Sequence, residues 1–214
     1  MVRSLVGLLA LILSGLSHAE TPLLSYRQAL LTEVWHEVNE MILQEHYTPA
    51  LQRAESFQRD VTEDAALTYL MGESYRRLRQ PKKAEKAFRR SLQLEPSRQD
   101  AWYDLGEVLL EQQRLNEAKI AFERVAELVD EGPKAWIAPF RLAEIAAAQQ
   151  QPALFEEQLR KALSLGFSFQ TVAGLPNWQS YYRDPIIHDS LSKLVTVYGS
   201  SEIQRSLETD GNKK

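Results

Sequence analysis

Residues 68–88, TYLMGESYRRLRQPKKAEKAF, and residues 102–122, WYDLGEVLLEQQRLNEAKIAF, follow one pattern written twice. The two copies lie 34 residues apart, so that Gly72 falls in register with Gly106. In each copy an alanine follows the glycine after twelve residues, and a phenylalanine follows the alanine after four. Self-similarity at a fixed period of about 20–50 residues is the sequence signature of a repeat architecture. The pattern therefore predicts that the stretch from Ala65 to Gly132 is one 34-residue unit present twice.

The residues in these slots resemble the tetratricopeptide repeat, a helix–turn–helix unit. The matches are Met71-Gly72-x-x-Tyr75 and Ala84-x-x-x-Phe88 in the first copy, and Trp102-x-x-Leu105-Gly106 and Ala118-x-x-x-Phe122 in the second. The resemblance implies an all-α fold in which helical hairpins stack into a right-handed solenoid, the tetratricopeptide superhelix. The function that it implies is the binding of other proteins.

The two glycines have a packing role in this interpretation. Gly72 and Gly106 are expected where two helices cross, because a side chain there would push one helix off the other. Phe88 and Phe122 are expected to fill the space between neighbouring repeats. A repeat buries its apolar face only against another repeat, so two copies alone would be marginal and further copies are expected.

Steps of one period in both directions reveal two divergent copies. Backward, Val38 takes the glycine slot and Ala54 the aromatic slot. Forward, three extra residues precede a copy with Ala143 in the glycine slot, Leu159 in the aromatic slot and Phe155 in place of the alanine. Terminal copies of solenoids are commonly atypical. The sequence thus predicts about four repeats within residues 20–169, at 31–64, 65–98, 99–132 and 136–169.

The first nineteen residues are typical of an export signal. Arg3 precedes an apolar core from Leu5 to Leu13, and Ser17-His18-Ala19 fits the small-x-small pattern before a cleavage site. The alternative is an uncleaved anchor, but about a dozen apolar residues fall short of the ~20 that span a bilayer. We expect a signal peptide over residues 1–19 and a mature, periplasmic protein without a membrane span.

The sequence after the fourth repeat predicts a cap. Gly166 is well placed to end a helix in the left-handed conformation, and residues 170–198 are rich in aromatic side chains such as Trp178. A last helix is expected from Asp184 to about Tyr198. The region resembles a C-terminal extension that follows the repeats of many bacterial proteins. We interpret it as a hydrophobic lid on the last repeat, with a binding surface as the alternative, and expect residues 199–214 to be a frayed polar tail.

Composition and motifs argue against catalysis and against nucleic acid. The formal net charge of −4 disfavours nucleic acid, which binds to basic faces. The absence of Cys excludes disulfides, thiolate zinc sites and cysteine nucleophiles. Glu33, His36, Glu37 and Glu40 offer ligand atoms on one helix face, but a His-Glu-x-x-His motif is not completed, and a solvated charged face is the simpler interpretation. The sequence therefore predicts no enzyme, no metal site and no cofactor.

The resemblance also implies where a partner would bind. In tetratricopeptide repeats the first helices line a concave groove, and two residues of each repeat point into it, one after the Trp slot and one after the glycine slot. The first of these is aromatic in all four copies, and the second is an amide or a carboxylate. The predicted groove residues are Trp35, Asn39, Tyr69, Glu73, Tyr103, Glu107, Phe140 and Glu144.

These side chains define the expected partner. Aromatic platforms beside carboxylates suit a protein or peptide segment that carries apolar and basic residues. A carboxylate-terminated acidic tail is a poor ligand unless Arg76, Arg77 or Arg141 intrudes. We therefore expect a non-enzymatic adaptor in the cell envelope. The alternatives are a structural scaffold that self-associates as a homo-oligomer and an assembly factor that binds through the aromatic lid.

Overall fold

The computed structural model describes residues 26–129, 131–172 and 175–209, and their regular structure is entirely helical, as the sequence predicts. The first helix, α1, is described over residues 26–43. The next ten are α2 (Tyr47–Asp60), α3 (Ala65–Arg77), α4 (Pro81–Leu94), α5 (Gln99–Glu111), α6 (Leu115–Leu128), α7 (Ile137–Ala148), α8 (Pro152–Ser164), α9 (Pro176–Arg183), α10 (His188–Tyr198) and α11 (Ser201–Thr209). A short 3₁₀ helix, Phe169–Thr171, precedes α9. The signal peptide predicted for residues 1–19 lies outside these ranges, within which no helix is both long and apolar enough to cross a bilayer.

The chain divides into two compact units, one up to Glu95 and one from Pro96 onward. In the first unit α2 packs on α3 and α3 on α4, and α1 joins them by burying Val34 and Val38. In the second unit each helix from α5 to α8 packs on the next, and α10 packs on α8. The boundary falls near the end of the second predicted repeat, so each unit holds two of the predicted helix pairs.

The turn between the two helices of each pair is the same in all four copies. Its left-handed residue is Glu45, Arg79, Gln113 or Gln150, with φ of 62°, 58°, 60° and 55°. The next amide N–H donates to the carbonyl five residues earlier, at 2.7 to 2.9 Å, which is the long bond of a Schellman ending. These residues are spaced by 34, 34 and 37 positions. The structure therefore repeats with the period that the sequence predicts, including the three extra residues before the fourth copy.

Each consensus glycine makes room for the aromatic ring of its own repeat. A Cβ on Gly72 would lie 2.5 Å from Cε1 of Phe88, and a Cβ on Gly106 would lie 2.7 Å from Cζ of Phe122. Both rings are fully buried. Each ring therefore packs on the first helix of its own pair, and the expectation that it also fills the space between neighbouring repeats stays a prediction. A side chain at either glycine would have to displace a buried ring.

In the two divergent repeats the glycine slot holds a larger residue and the aromatic slot a smaller one. The first repeat has Val38 and Ala54 in the glycine and aromatic slots, and the fourth has Ala143 and Leu159. All four side chains are buried. In the first repeat the larger side chain is therefore on the first helix of the pair. In the fourth repeat both helices contribute a side chain, a small one from the first helix and a larger one from the second. Exchanges that keep the total volume are the ones that packed cores tolerate best.

The C-terminal region is a helical cap with an aromatic core. Gly166 ends α8 with a φ of 99°, as predicted. Trp178 on α9 is fully buried and packs with Phe140, Phe155 and Phe169. These rings lie in the same core as α7 and α8. Phe169 and Trp178 therefore face the last repeat, as the lid interpretation predicts, whereas Tyr198 at the end of the region is exposed.

The helices of the cap differ from the prediction. Residues Pro176–Arg183 form a helix that the turn residues of this segment did not suggest. The helix expected from Asp184 begins at His188, because Asp184 closes a turn instead: its Oδ1 accepts a hydrogen bond from the amide of Ile186 at 2.8 Å.

The prediction of a frayed polar tail from residue 199 is wrong for residues 199–209, which contain α11. Ile203 and Leu207 are four residues apart and therefore lie on one face of the helix. Both are buried in the same core as the cap. Two apolar residues at helical spacing are enough to dock this otherwise polar segment.

Gly106→Ala tests the contact between glycine and ring. In an exposed helix this change would stabilise by ~1 kcal/mol through helix propensity. Here we expect the free energy of unfolding to fall by about 1–3 kcal/mol, because the new methyl group collides with Phe122. Thermal unfolding followed by circular dichroism measures the change. Combination with Phe122→Leu should remove the penalty, and an equal penalty in both backgrounds would contradict the contact.

The left-handed turns predict that Gln113→Gly stabilises the protein by about 0.5–1 kcal/mol, because glycine adopts a positive φ without a Cβ clash. Gln112→Gly is the matched control, since Gln112 has a φ of −88°. There glycine adds conformational freedom to the unfolded chain and should destabilise. Urea unfolding separates the two variants, and a loss of stability in both would argue against the turn geometry.

Candidate partner-binding site

The eight predicted groove residues divide between the two units. All lie on the first helix of their pair, as the repeat register predicts, and all but two are half-buried. The two exceptions are Phe140 and Glu144, which are buried. The first unit holds Trp35, Asn39, Tyr69 and Glu73, and the second holds Tyr103, Glu107, Phe140 and Glu144.

In the first unit the aromatic side chains pack partly into the core. The ring of Tyr69 lies 5.7 Å from the ring of Phe88, and the ring of Trp35 meets His36 edge-on at 5.1 Å. Both Trp35 and Tyr69 border the core of the first unit and keep part of their surface exposed. Core packing therefore accounts for part of the surface of each ring, and the rest of that surface is not buried.

In the second unit Arg141 organises the site. Its Nη2 donates to Oε2 of Glu107 at 2.9 Å, and its Nε lies 2.9 Å from Oε1 in an ion pair that lacks hydrogen-bond alignment. Its Nη1 donates to Oε2 of Glu144 at 2.6 Å. The hydrogen bond to Glu107 joins two charged groups, which makes it stronger than a bond between neutral groups. This contact joins α7 to α5 and so ties the fourth repeat to the third.

Glu144 connects α7 to the cap. Its Oε1 accepts hydrogen bonds from Nδ2 of Asn177 at 3.1 Å and from the indole Nε1 of Trp178 at 3.3 Å. With Arg141 on its other oxygen, the buried carboxylate has three donors, which offsets the cost of removing it from water. The Glu144 slot is thus occupied by the chain's own cap.

Phe140 is covered by the cap as well. Its ring stacks on Trp178, with centroids 5.4 Å apart and planes at 13°, and lies 4.8 Å from the ring of Phe167. The sequence predicted Phe140 in an open groove, but only 8% of its surface is exposed. The reason is that residues after the repeats supply the aromatic partners that a ligand would otherwise supply.

A recess of about 270 Å³ lies beside these residues, between α5, α7 and the cap. Its lining is mostly aromatic and apolar, with a few polar groups: Tyr103, Trp136, Ile137, Phe140, Arg141, Glu144, Thr171, Val172, Leu175 and Asn177. Larger hollows of about 780 Å³ along α8 and about 610 Å³ along α4 are lined mostly by charged side chains. Apolar walls with a few convergent polar groups are typical of binding sites. The smaller recess is therefore the candidate site.

Burial and the two carboxylates act on the ionisable groups around the recess. Burial opposes the charge of Arg141, but Glu107 and Glu144 together raise the pKa of its guanidinium above the ordinary value. Burial, and then the charge of Glu107, raise the pKa of Tyr103. Burial, and then the charge of Glu144, raise the pKa of Tyr181 to about 12. At neutral pH Arg141 is therefore charged and both phenols are neutral.

The expected preference for a basic partner loses support in the second unit. Arg141 compensates one of the two carboxylates, and donors from the cap engage Glu144. The slot pattern gave Arg141 no structural role. Arg141 lies 34 residues after Glu107, which is one repeat period, and three residues before Glu144, which is one helical turn. Both spacings bring side chains together, so the sequence contained a signal for the two ion pairs of Arg141.

The charged face of α1 has an ion pair in place of a ligand cluster. Glu37 pairs with Nε of Arg53 at 2.6 Å, and Glu33, His36 and Glu40 are exposed. In the part of the chain that the structure describes, no three His, Cys, Asp or Glu side chains are grouped as metal ligands would be.

Comparison with known proteins identifies the family. Residues 69–128 match the family model of the tetratricopeptide repeat. Residues 69–128 of this chain are therefore tetratricopeptide repeat. The matched region covers α4, α5 and α6 together with most of α3. No curated protein sequence matches the chain.

Solved structures show the same fold over more of the chain. The chain is similar to YrrB, a tetratricopeptide-repeat protein described as having an unusual peptide-binding site, with 25% identity over 62% of this chain and 67% of that one and a TM-score of 0.54. PilF of Pseudomonas aeruginosa is 15% identical, and the match covers 88% of this chain and 79% of PilF with a TM-score of 0.65. MamA of Desulfovibrio magneticus RS-1 is 20% identical, and the match covers 81% of this chain and 94% of MamA with a TM-score of 0.62. The last two likenesses concern the fold alone.

Glu144→Leu tests the polar link between the fourth repeat and the cap. The change leaves the Trp178 indole N–H and the Asn177 amide without their acceptor and takes one carboxylate from Arg141. We expect the free energy of unfolding to fall by about 2–4 kcal/mol in urea titrations.

Glu123→Leu is the control, because Glu123 is exposed and pairs loosely with Lys119 at 3.8 Å. It should change stability by less than about 0.5 kcal/mol, and equally small effects at both positions would show that Glu144 has no structural role.

Proposed function

We propose that this protein is a non-enzymatic adaptor of the cell envelope that holds a segment of a partner protein in the recess of its second unit. Tetratricopeptide repeats form protein–protein interaction modules, which is the coarse function of the fold. The observation that carries the finer proposal is the recess itself, in which predicted groove residues and the cap meet around Arg141.

The chemistry of the recess favours an apolar anchor side chain on the partner. Leu175 is 45% exposed at its edge, and Tyr103 is half-buried. A partner side chain that covers this surface gains about 25 cal/mol for each Å² of apolar area removed from water. The polar groups of Arg141, Glu144 and Asn177 already bond to one another, so they orient the walls more than they attract charge.

The similarity to YrrB supports a peptide-like ligand. That protein is described as having a peptide-binding site, and it shares one quarter of its aligned residues with this chain. The support concerns the class of ligand. The position of the site in this chain rests on the recess alone.

The envelope location rests on residues 1–19. A basic residue, a short apolar core and a small-x-small site are the three parts of a secretory signal, and all three are present. An adaptor in this compartment would meet other exported or membrane-anchored proteins.

A second candidate function is self-association through the C-terminal region. The ring of Trp178 is buried and does not support it, but Val197 and Tyr198 at the end of α10 are 68% and 49% exposed. A molecular mass that rises with concentration in sedimentation equilibrium, without any partner, would favour this scaffold over the adaptor.

Tyr103→Ala tests the adaptor proposal. The partner is first recovered by affinity purification from an envelope extract on the chain without residues 1–19, and its affinity is then measured by titration. We expect the variant to bind about 5- to 150-fold more weakly, the loss of about 1–3 kcal/mol that a truncated aromatic anchor gives.

Ile120→Ala is the matched control, because Ile120 is 57% exposed on α6 and does not line the recess. It should bind as the unchanged chain does. The melting temperature of each variant is measured beside its affinity. If Tyr103→Ala lowers the melting temperature while the folded protein binds with full affinity, Tyr103 only packs on Phe122 and the recess is not the binding site.

A further inference from the structure

Residues 76–90 carry a concentration of positive charge that the recess does not use. Eight Lys or Arg residues and one acid, Glu85, fall within these fifteen positions, which gives a net charge of +7. The whole chain has a net charge of −4, so the rest of it carries −11. Such a segment in an acidic chain is a candidate interaction surface.

The structure turns this segment outward. It comprises the end of α3, the connecting turn and the first ten residues of α4. On α4 the ring of Phe88 is buried, whereas Lys82, Lys86, Arg89 and Arg90 are exposed. These four side chains are called the cationic face below. They line an open hollow of about 610 Å³ together with Glu63, Glu85 and Gln93.

Nearby carboxylates compensate only half of the cationic face. Nε of Arg90 donates to Glu63 at 2.7 Å, and Nε of Arg89 donates to Glu85 at 2.9 Å. Lys82 and Lys86 form no ion pair with any carboxylate in the described ranges. The hollow therefore has two ammonium groups with their charge available to a ligand.

Helix stability explains only part of the segment. Arg76 and Arg77 lie in the last turn of α3, where the helix dipole favours cations. Lys82 and Lys83 lie in the first turn of α4, which contains no acid and where the dipole disfavours cations. The ring of Tyr75 accounts for the position of Lys83, whose Nζ lies 5.4 Å from the ring centroid. The placement of Lys82 weakens the helix, so it points to a role outside the helix.

We propose that the cationic face binds an acidic, carboxylate-rich segment of a protein. Lys82, Lys86 and Arg89 are four and three residues apart, which sets neighbouring cations about 5–6 Å from one another along α4. Carboxylates at alternate positions of an extended chain recur about every 7 Å and can meet these cations in turn. The face belongs to the first unit and the recess to the second, so the inference does not depend on the proposed function.

The lining of the hollow favours a peptide over a bilayer. No large apolar side chain is among the residues that line it. Attachment to a membrane surface normally combines basic residues with apolar side chains that enter the headgroup region. Lys82 and Lys86 lie in a hollow, which suits a chain that enters it better than a flat layer of headgroups.

A fluorescein-labelled peptide of alternating glutamate and glycine, measured by fluorescence anisotropy at low ionic strength, tests the proposal. A glutamine–glycine peptide of equal length is its neutral control. We expect the unchanged protein to bind the glutamate peptide alone, and to bind it more weakly as salt is added. Lys82→Glu with Lys86→Glu should weaken binding at least about tenfold, with the circular dichroism spectrum unchanged.

The matched control is Lys134→Glu with Lys193→Glu, two exposed lysines of the second unit that change the net charge by the same amount. This variant should keep its affinity for the glutamate peptide. Equal weakening in both double variants would mean that only net charge matters and would overturn the proposal. So would equal binding of the two peptides, or binding to phosphatidylglycerol vesicles through Lys82 and Lys86 with none to the peptide.

Discussion

The second unit depends on one half-buried guanidinium. Arg141 bridges Glu107 on α5 and Glu144 on α7, and Glu144 in turn accepts hydrogen bonds from Asn177 and Trp178 of the cap. Charges removed from water are costly unless every partner is present, so loss of any one member leaves the others uncompensated. The bridge therefore fixes the third repeat, the fourth repeat and the cap in one arrangement, and the recess is the space left between them.

The same bridge explains how much of the site the sequence could predict. Repeat spacing places Tyr103, Glu107, Phe140 and Glu144 on first helices, and all four lie there. The spacing of residues within a repeat does not reveal which of them a segment after the repeats will cover. Trp178, 38 positions after Phe140, stacks on its ring and converts a predicted ligand platform into core.

The fold was more accessible to prediction than the site because its determinants are local. Gly72 and Gly106 each face a ring sixteen residues away, and the left-handed turn residue recurs at the repeat spacing. The cap was predicted in position but not in detail, since α9 and α11 depend on contacts with α10, which sequence periodicity does not reveal. Ile203 and Leu207 show how few apolar residues such docking needs.

The two units offer different chemistry to partners. The recess of the second unit is mostly apolar, and the cationic face of the first unit is charged and hydrophilic. An adaptor with two such surfaces can take an apolar anchor on one and an acidic segment on the other. Two modest contacts on one chain can give a tight complex, because the second forms at a raised effective concentration.

Photocrosslinking tests the central claim, that a partner segment lies in the recess. A photoreactive benzoylphenylalanine replaces Leu175 at the edge of the recess, or Ile120 on α6, two apolar residues of the same unit that are 45% and 57% exposed. The chain is then irradiated in envelope extract. The account predicts a discrete crosslinked partner from position 175 and none from position 120. A partner crosslinked from position 120 and not from position 175 would contradict it.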